Sequence, residues 1–142
     1  MTEKLFRTEA EFSKHVIKLA HEYGWTVARF HRLPVPRDGK TQWRTPVGAD
    51  GKGFPDLTLV RERLLYAELK IAPNKPDVNQ QGWLDRLASA GCEVYCWTDR
   101  DLDRITATLR CAVTPIQLAR LTIACNGDIT HAREIAQMVK TA

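Results

Sequence analysis

Apolar side chains return at helical spacing from Phe12 onward: Val16, Leu19, Ala20 and Tyr23 follow, and Gly24 stands where a helix stops. Thr8 and Glu11 ahead of them are spaced as a capping box, so the pattern predicts an amphipathic helix over about residues 9–23. Across 25–32 the period drops to two, with Val27, Arg29 and His31 opposite Ala28 and Phe30, the alternation of a strand. The stretch 33–53 shows neither period. It is rich in Pro, Gly, Asp and basic residues and reads as one long connection, of the kind that is usually functional or disordered. It ends on Gly53-Phe54-Pro55-Asp56, after which 57–60 and 64–71 read as two strands joined by a turn at Arg61-Glu62-Arg63. Asp77 or Asn79 then caps a helix carrying Trp83, Leu84, Leu87 and Ala88 and closed by Gly91. A strand over 92–98 follows, and Asp99 or Asp101 opens a helix through Leu109. Thr114-Pro115 begins the first of two final helices, which Gly127-Asp128 separates.

At 142 residues, with no internal repeat, this order fits one mixed α/β domain with a helical tail. No apolar run approaches the roughly 18–20 residues of a membrane span, and no apolar leader opens the chain, so the expected setting is the cytoplasm. Cys92, Cys96, Cys111 and Cys125 lack CxxC spacing and paired histidines, which argues for reduced thiols rather than a zinc site. Lys and Arg exceed Asp and Glu by 21 to 17; the resulting +4 is compatible with a phosphate-rich partner without demonstrating one.

The candidate chemistry lies in the hairpin. If it is symmetric about Glu62, residues whose numbers sum to 124 oppose each other: Val60 and Leu64, Thr58 and Tyr66, Asp56 and Glu68. Directly opposed Cβ atoms lie about 4.5–5.5 Å apart, and Glu68 shares its strand face with Lys70. Two carboxylates and an ammonium would then meet in one small volume. A one-residue slip would separate them. Facing carboxylates repel unless neutralised, and a hard divalent ion held by oxygen ligands does this. Such an ion also polarises a phosphodiester oxygen and lowers the pKa of a water. These are the needs of phosphodiester hydrolysis. Pro-Asp followed by Glu-x-Lys is short enough to arise by chance, and Glu and Lys alternate on many solvent-facing strands.

The longer series is more specific. Thr8-Glu9-Ala10-Glu11-Phe12, Gly24-Trp25, Gly53-Phe54-Pro55-Asp56-Leu57 and Ala67-Glu68-Leu69-Lys70 resemble, in order and spacing, the virus-type replication-repair nuclease (VRR-NUC) family of PD-(D/E)xK nucleases. Gln80-Gln81-Gly82-Trp83-Leu84, Ala90-Gly91 and Val94-Tyr95-Cys96-Trp97 continue the resemblance, which covers about residues 8–110. It implies a restriction-endonuclease-like three-layer sandwich, a central mixed sheet flanked by helices with an α-β-β-β-α-β core and C-terminal helices added. With the tail the chain is expected to divide into a VRR-NUC-like nuclease domain over 1–110 and a helical extension over 111–142 packed on it.

By the same resemblance Asp56 and Glu68 bind Mg2+ or Mn2+, assisted by the backbone carbonyl of Leu69, and Lys70 is the catalytic lysine. Glu11 completes the site through a water or a second ion, with Glu9 as the alternative. Gln80 faces the site from the following helix, with Gln81 as its competitor. The implied activity is metal-dependent cleavage of DNA, selective for branched DNA or a Holliday junction in replication, recombination or repair. The implied state is a homodimer, with no nucleotide cofactor, and the small size fits an accessory nuclease of a phage or mobile element. A sequence-specific restriction or nicking enzyme, or a nuclease-like fold that binds DNA without cutting it, are the competing readings.

In the long connection Arg32, Arg37, Lys40, Arg44 and Lys52 with Trp43 among them suit phosphate contact and base stacking, as they also suit a solvated loop. The tail, poor in basic residues at its last helix, reads as a cap on the core or a dimer surface before it reads as a helix-turn-helix.

Overall fold

The computed structural model describes residues 4–30, 33–44, 47–112, 123, 124, 126, 128 and 130–134. Helix α1 (Glu9–Glu22) begins where the Thr8 hydroxyl accepts the Glu11 N–H at 3.2 Å, and buries Phe12, Val16 and Ala20. Strand β1 (Thr26–Arg29) pairs antiparallel with β4 (Leu57–Val60). β4 pairs antiparallel with β5 (Leu64–Lys70), and β5 runs parallel to β6 (Glu93–Thr98). The sheet order is therefore β1-β4-β5-β6. Helix α2 (Val78–Ser89) makes the crossover that a parallel pair requires, and α3 (Leu102–Arg110) follows β6.

The odd-numbered residues of β4 and β5 (Leu57, Leu59, Leu65, Ala67, Leu69) form one core with Phe12, Val16 and Ala20 of α1, Ile105 and Leu109 of α3, Trp25 and Trp97. Even-numbered positions face the other way, where Gln80 of α2 reaches Glu68. The result is a mixed sheet with helices on both faces. The β4–β5 register runs Leu57↔Ala67, Thr58↔Tyr66, Leu59↔Leu65 and Val60↔Leu64. Every pair sums to 124, so the turn is centred on Glu62 as expected.

The stretch expected to be loop is partly a hairpin. Within 33–53, β2 (Leu33–Arg37) and β3 (Lys40–Arg44) pair antiparallel in a two-stranded sheet of their own. Its turn is Asp38-Gly39, both left-handed at φ 53° and 73°, the two-residue hairpin turn that Asp-Gly favours. Periodicity missed it because both faces are exposed along its whole length, so no buried side imposes alternation. Pro34 and Pro36 disguise it further. In a two-residue hairpin Arg37 and Lys40 exchange hydrogen bonds, which puts both prolines at positions whose N–H would point away from β3. The ribbon tolerates them at its outer edge. The expected helices of 111–142 fall almost wholly outside the described residues.

Candidate active site

Asp56 sits one residue before β4, at the end of a loop that sequence and packing leave little freedom. Gly53 is left-handed at φ 85°, and a Cβ there would lie 2.6 Å from the Asn79 carbonyl carbon and 2.7 Å from the Gln80 nitrogen. Glycine is thus required for the loop to pass against the first turn of α2. Pro55 is buried, and the Asp56 carbonyl accepts the Phe30 N–H at 2.8 Å, extending the β1–β4 edge by a step. The side chain is fixed as well: Asp56 Oδ2 accepts the Leu69 N–H at 2.9 Å. One strand therefore aims its carboxylate at the next, beside Glu68.

Glu68 is a carboxylate at 1% exposure in the middle of the sheet. Its Oε1 accepts from Gln80 Nε2 at 2.7 Å and lies 3.5 Å from Lys70 Nζ. Its Oε2 is buried with no hydrogen-bond partner among the described residues. Gln80 is held by the α2 cap, where Asp77 accepts the Asn79 and Gln80 N–H groups and Gln80 Oε1 accepts the Asp77 N–H at 2.9 Å. A backbone N–H can only donate, so the amide must turn its Nε2 toward Glu68. Gln81 points elsewhere, to Asp85.

Burial first, and then the Asp56 charge, push the Glu68 carboxyl up to about 8, against the pull of Lys70. Burial also raises Asp56, opposed by the Leu69 N–H and aided by the charge of Glu9. Both carboxyls are thus held above their ordinary values, and ionising the two together is unfavourable. Among the described residues no cluster of three or more His, Cys, Asp or Glu could cage a metal. A buried carboxylate oxygen with no partner among the described residues, beside a second carboxylate, fits a hard divalent cation that keeps several of its waters.

Of the two first-turn acids of α1, the structure brings Glu9 to this site. Its Oε1 lies 3.8 Å from Lys70 Nζ, whereas the Glu11 carboxylate accepts the Arg7 N–H at 2.9 Å on the exposed helix end. Of the two acids, then, the alternative Glu9 is the one that lies beside Lys70, and Glu11 is the one at the helix end. A signal was available: Glu9 precedes Phe12 by three and Val16 by seven, continuing the buried stripe, while Glu11 is off it. Two more side chains share the sheet face without having been singled out, Tyr66 before Glu68 on β5 and Cys96 opposite Glu68 in the β5–β6 register. Burial, and then the Glu68 charge, push the Cys96 thiol up.

Of the residues proposed to touch DNA, Arg37, Lys40, Trp43 and Arg44 lie on the exposed β2–β3 ribbon rather than in the site. Lys52 is exposed beside α2, lining with Trp83 and Arg86 an open cleft of about 1110 Å³. Arg32 falls outside the described residues.

Neither a family model nor a curated protein matches the chain. A solved structure described as "VRR_NUC domain" does match, at TM-score 0.50 and 19% identity, over 70% of this chain and 94% of that one. The chain has a VRR_NUC-like fold. Within that VRR_NUC-like frame, Asp56, Glu68, Lys70 and Gln80 stand together on one sheet face, and Glu9 reaches them from the N-terminus of α1. A likeness at this identity speaks for the path of the chain. The chemistry must be argued from the side chains.

Proposed function

We propose that this chain is a metal-dependent nuclease that hydrolyses DNA phosphodiesters with Mg2+ or Mn2+. The observation that carries the reading is the Asp56–Glu68–Lys70 grouping, with a buried carboxylate oxygen that no donor among the described residues satisfies. Folding two acids against each other costs stability, and a cation between them would offset that cost.

Asp56 and Glu68 would hold the ion, and the Leu69 carbonyl would join them. In an antiparallel strand a residue's N–H and C=O point to the same side. Since the Leu69 N–H goes to Asp56, its carbonyl faces that side too, beyond the last ladder pair Leu57↔Ala67. Held there, an ion would supply positive charge against a phosphodiester oxygen and lower the pKa of a water. Gln80 fixes the plane of the Glu68 carboxylate, so that one oxygen is committed to the amide and the other is free to ligate. Lys70, between Glu68 and Glu9, is placed to orient the attacking water or to meet the charge that grows on the phosphate. Glu9, 3.8 Å from the Lys70 ammonium, is a second acid within reach of it.

The resemblance of the motif series supports two finer parts of the reading, selectivity for branched DNA and action as a homodimer. The experiment is incubation with labelled linear, flapped and four-way DNAs in Mg2+, Mn2+ or EDTA, beside Asp56→Ala. Cleavage that needs the metal and disappears in the variant is expected. Equal product from the variant or in chelator would remove the site from the reaction.

A further inference from the structure

The β2–β3 ribbon has a composition that the catalytic site does not use. Strand alternation and the observed register sort its side chains onto two faces. Leu33, Val35, Arg37, Lys40, Gln42 and Arg44 share one; Pro34, Pro36, Thr41 and Trp43 share the other. Every residue of both strands is exposed, Trp43 to 62%. A two-stranded ribbon of this kind is marginal in water without something against it.

The first face tells what that something is. Arg37 and Lys40 are directly opposed across the ladder, an arrangement that costs stability unless an anion neutralises it. Arg44 is a third cation on the same face. Among the described residues none of the three forms an ion pair, and the face itself carries no acid; Asp38 lies in the turn beyond it. At about 3.4 Å per residue, the Lys40 and Arg44 positions lie about 14 Å apart along the strand. The major groove of B-DNA is about 12 Å wide and admits a two-stranded β-ribbon. Cations at the two ends of such a ribbon reach phosphates on both walls of the groove, with Gln42 between them toward the base edges. A second copy of the same face is a poor partner, because cation would meet cation.

We infer that the β2–β3 ribbon is a grip for duplex DNA, seating its Arg37–Lys40–Arg44 face in the major groove of a double-stranded arm of the substrate. The inference rests on the nuclease reading only for the identity of the polyanion. Its test is binding, not cleavage, so the two can fail separately.

The full chain is titrated, in EDTA, onto a labelled duplex of about 30 base pairs, close to three helical turns, at a series of salt concentrations. Each phosphate contact contributes about 0.9 to the slope of log K against log salt. Replacing Arg37, Lys40 and Arg44 together by Ala should lower that slope by between about two and three, and weaken binding at about 0.15 M salt by roughly tenfold to a hundredfold. Arg37→Lys with Arg44→Lys should keep the slope, since charge is kept. Gln42→Lys, on the same face, should steepen it by about one, and Thr41→Lys, on the opposite face, should not. This last pair decides the matter even if the triple variant misfolds. Equal slopes for Gln42→Lys and Thr41→Lys would overturn the assignment of the face. A changed molecular mass with an unchanged slope would make the ribbon a contact between copies, and the grip would fall.

Discussion

Glu9 and Glu11 occupy the same helical turn, and their carboxylates go to different places for a reason set by the rest of α1. Phe12, Val16 and Ala20 fix how the helix rolls onto the sheet, and Glu9 lies on their stripe. Glu11 is turned outward to the Arg7 N–H and lies beside the Thr8 cap. The roles should separate accordingly. Glu9→Gln should lower the cleavage rate by about tenfold to a hundredfold, the usual loss when a supporting partner of a metal site is removed, with little change in melting temperature. Glu11→Gln should instead cost about 0.5–1 kcal/mol of stability through the helix end, read by denaturant unfolding. If the rate falls more in Glu11→Gln, the assignment of the first-helix acid reverts to Glu11. Gln80 acts similarly on Glu68 but is also part of the α2 cap. Gln80→Ala should therefore show both losses together, a slower reaction and roughly 1 kcal/mol less stability.

At the scale of elements, the loop before β4 and the turn after it are the parts that hold the site in register. Gly53 is the tightest point, since a side chain there would meet α2 backbone as well as a left-handed φ. Gly53→Ala should cost about 2–4 kcal/mol from the two sources combined. It should also reduce cleavage more than an equally destabilising change elsewhere, because it moves Gln80 and Asp56 together. Beyond β4, Arg61 and Arg63 place their guanidiniums 4.7 and 5.0 Å from the Trp25 ring centre, with side chains only 11% and 9% exposed. They donate to the Thr108, Leu109 and Cys111 carbonyls at the C-terminus of α3, the end of a helix that favours a cation. Arg61→Ala would leave the Cys111 carbonyl one donor short and the Tyr23 carbonyl without this one. A loss of about 2–4 kcal/mol is expected by thermal unfolding. The β4–β5 register was legible in the sequence because one face is apolar and buried, which permits a single pairing. The β2–β3 hairpin was not, because no burial constrains it; only the Asp38-Gly39 pair marked it. The first-helix acid fell between the two: Glu9 and Glu11 are chemically alike, and only the roll of α1 on the sheet chooses.

Stability of the whole molecule should carry the signature of the site. The Glu68 carboxyl titrates near 4.5 in an unstructured chain and is pushed up to about 8 in the fold, so between those values the folded state keeps a proton that the unfolded state has released. A state that binds more protons is weakened as they are withdrawn. The metal-free protein should thus lose stability as pH rises through this window, and the loss should be complete above it. The raised Asp56 carboxyl adds in the same direction. On the proposed reading divalent ions should act oppositely, because they would bind the ionised pair and compete with protons below the window. A hundredfold excess of Mg2+ over its dissociation constant stabilises by about 2.7 kcal/mol, or roughly 5–10 °C for a domain of this size. That increment should be larger near about pH 8 than near about pH 6. Glu68→Gln has no carboxyl to titrate, so it should flatten the metal-free profile and shrink the Mg2+ increment in the same protein. Melting curves at the two pH values, with Mg2+ and with EDTA, give all four numbers. A metal-free protein that gains stability between those pH values, while Glu68→Gln behaves identically, would mean that Glu68 is ionised and satisfied in the fold without a cation, and the case for an ion between these two acids would lose its physical basis.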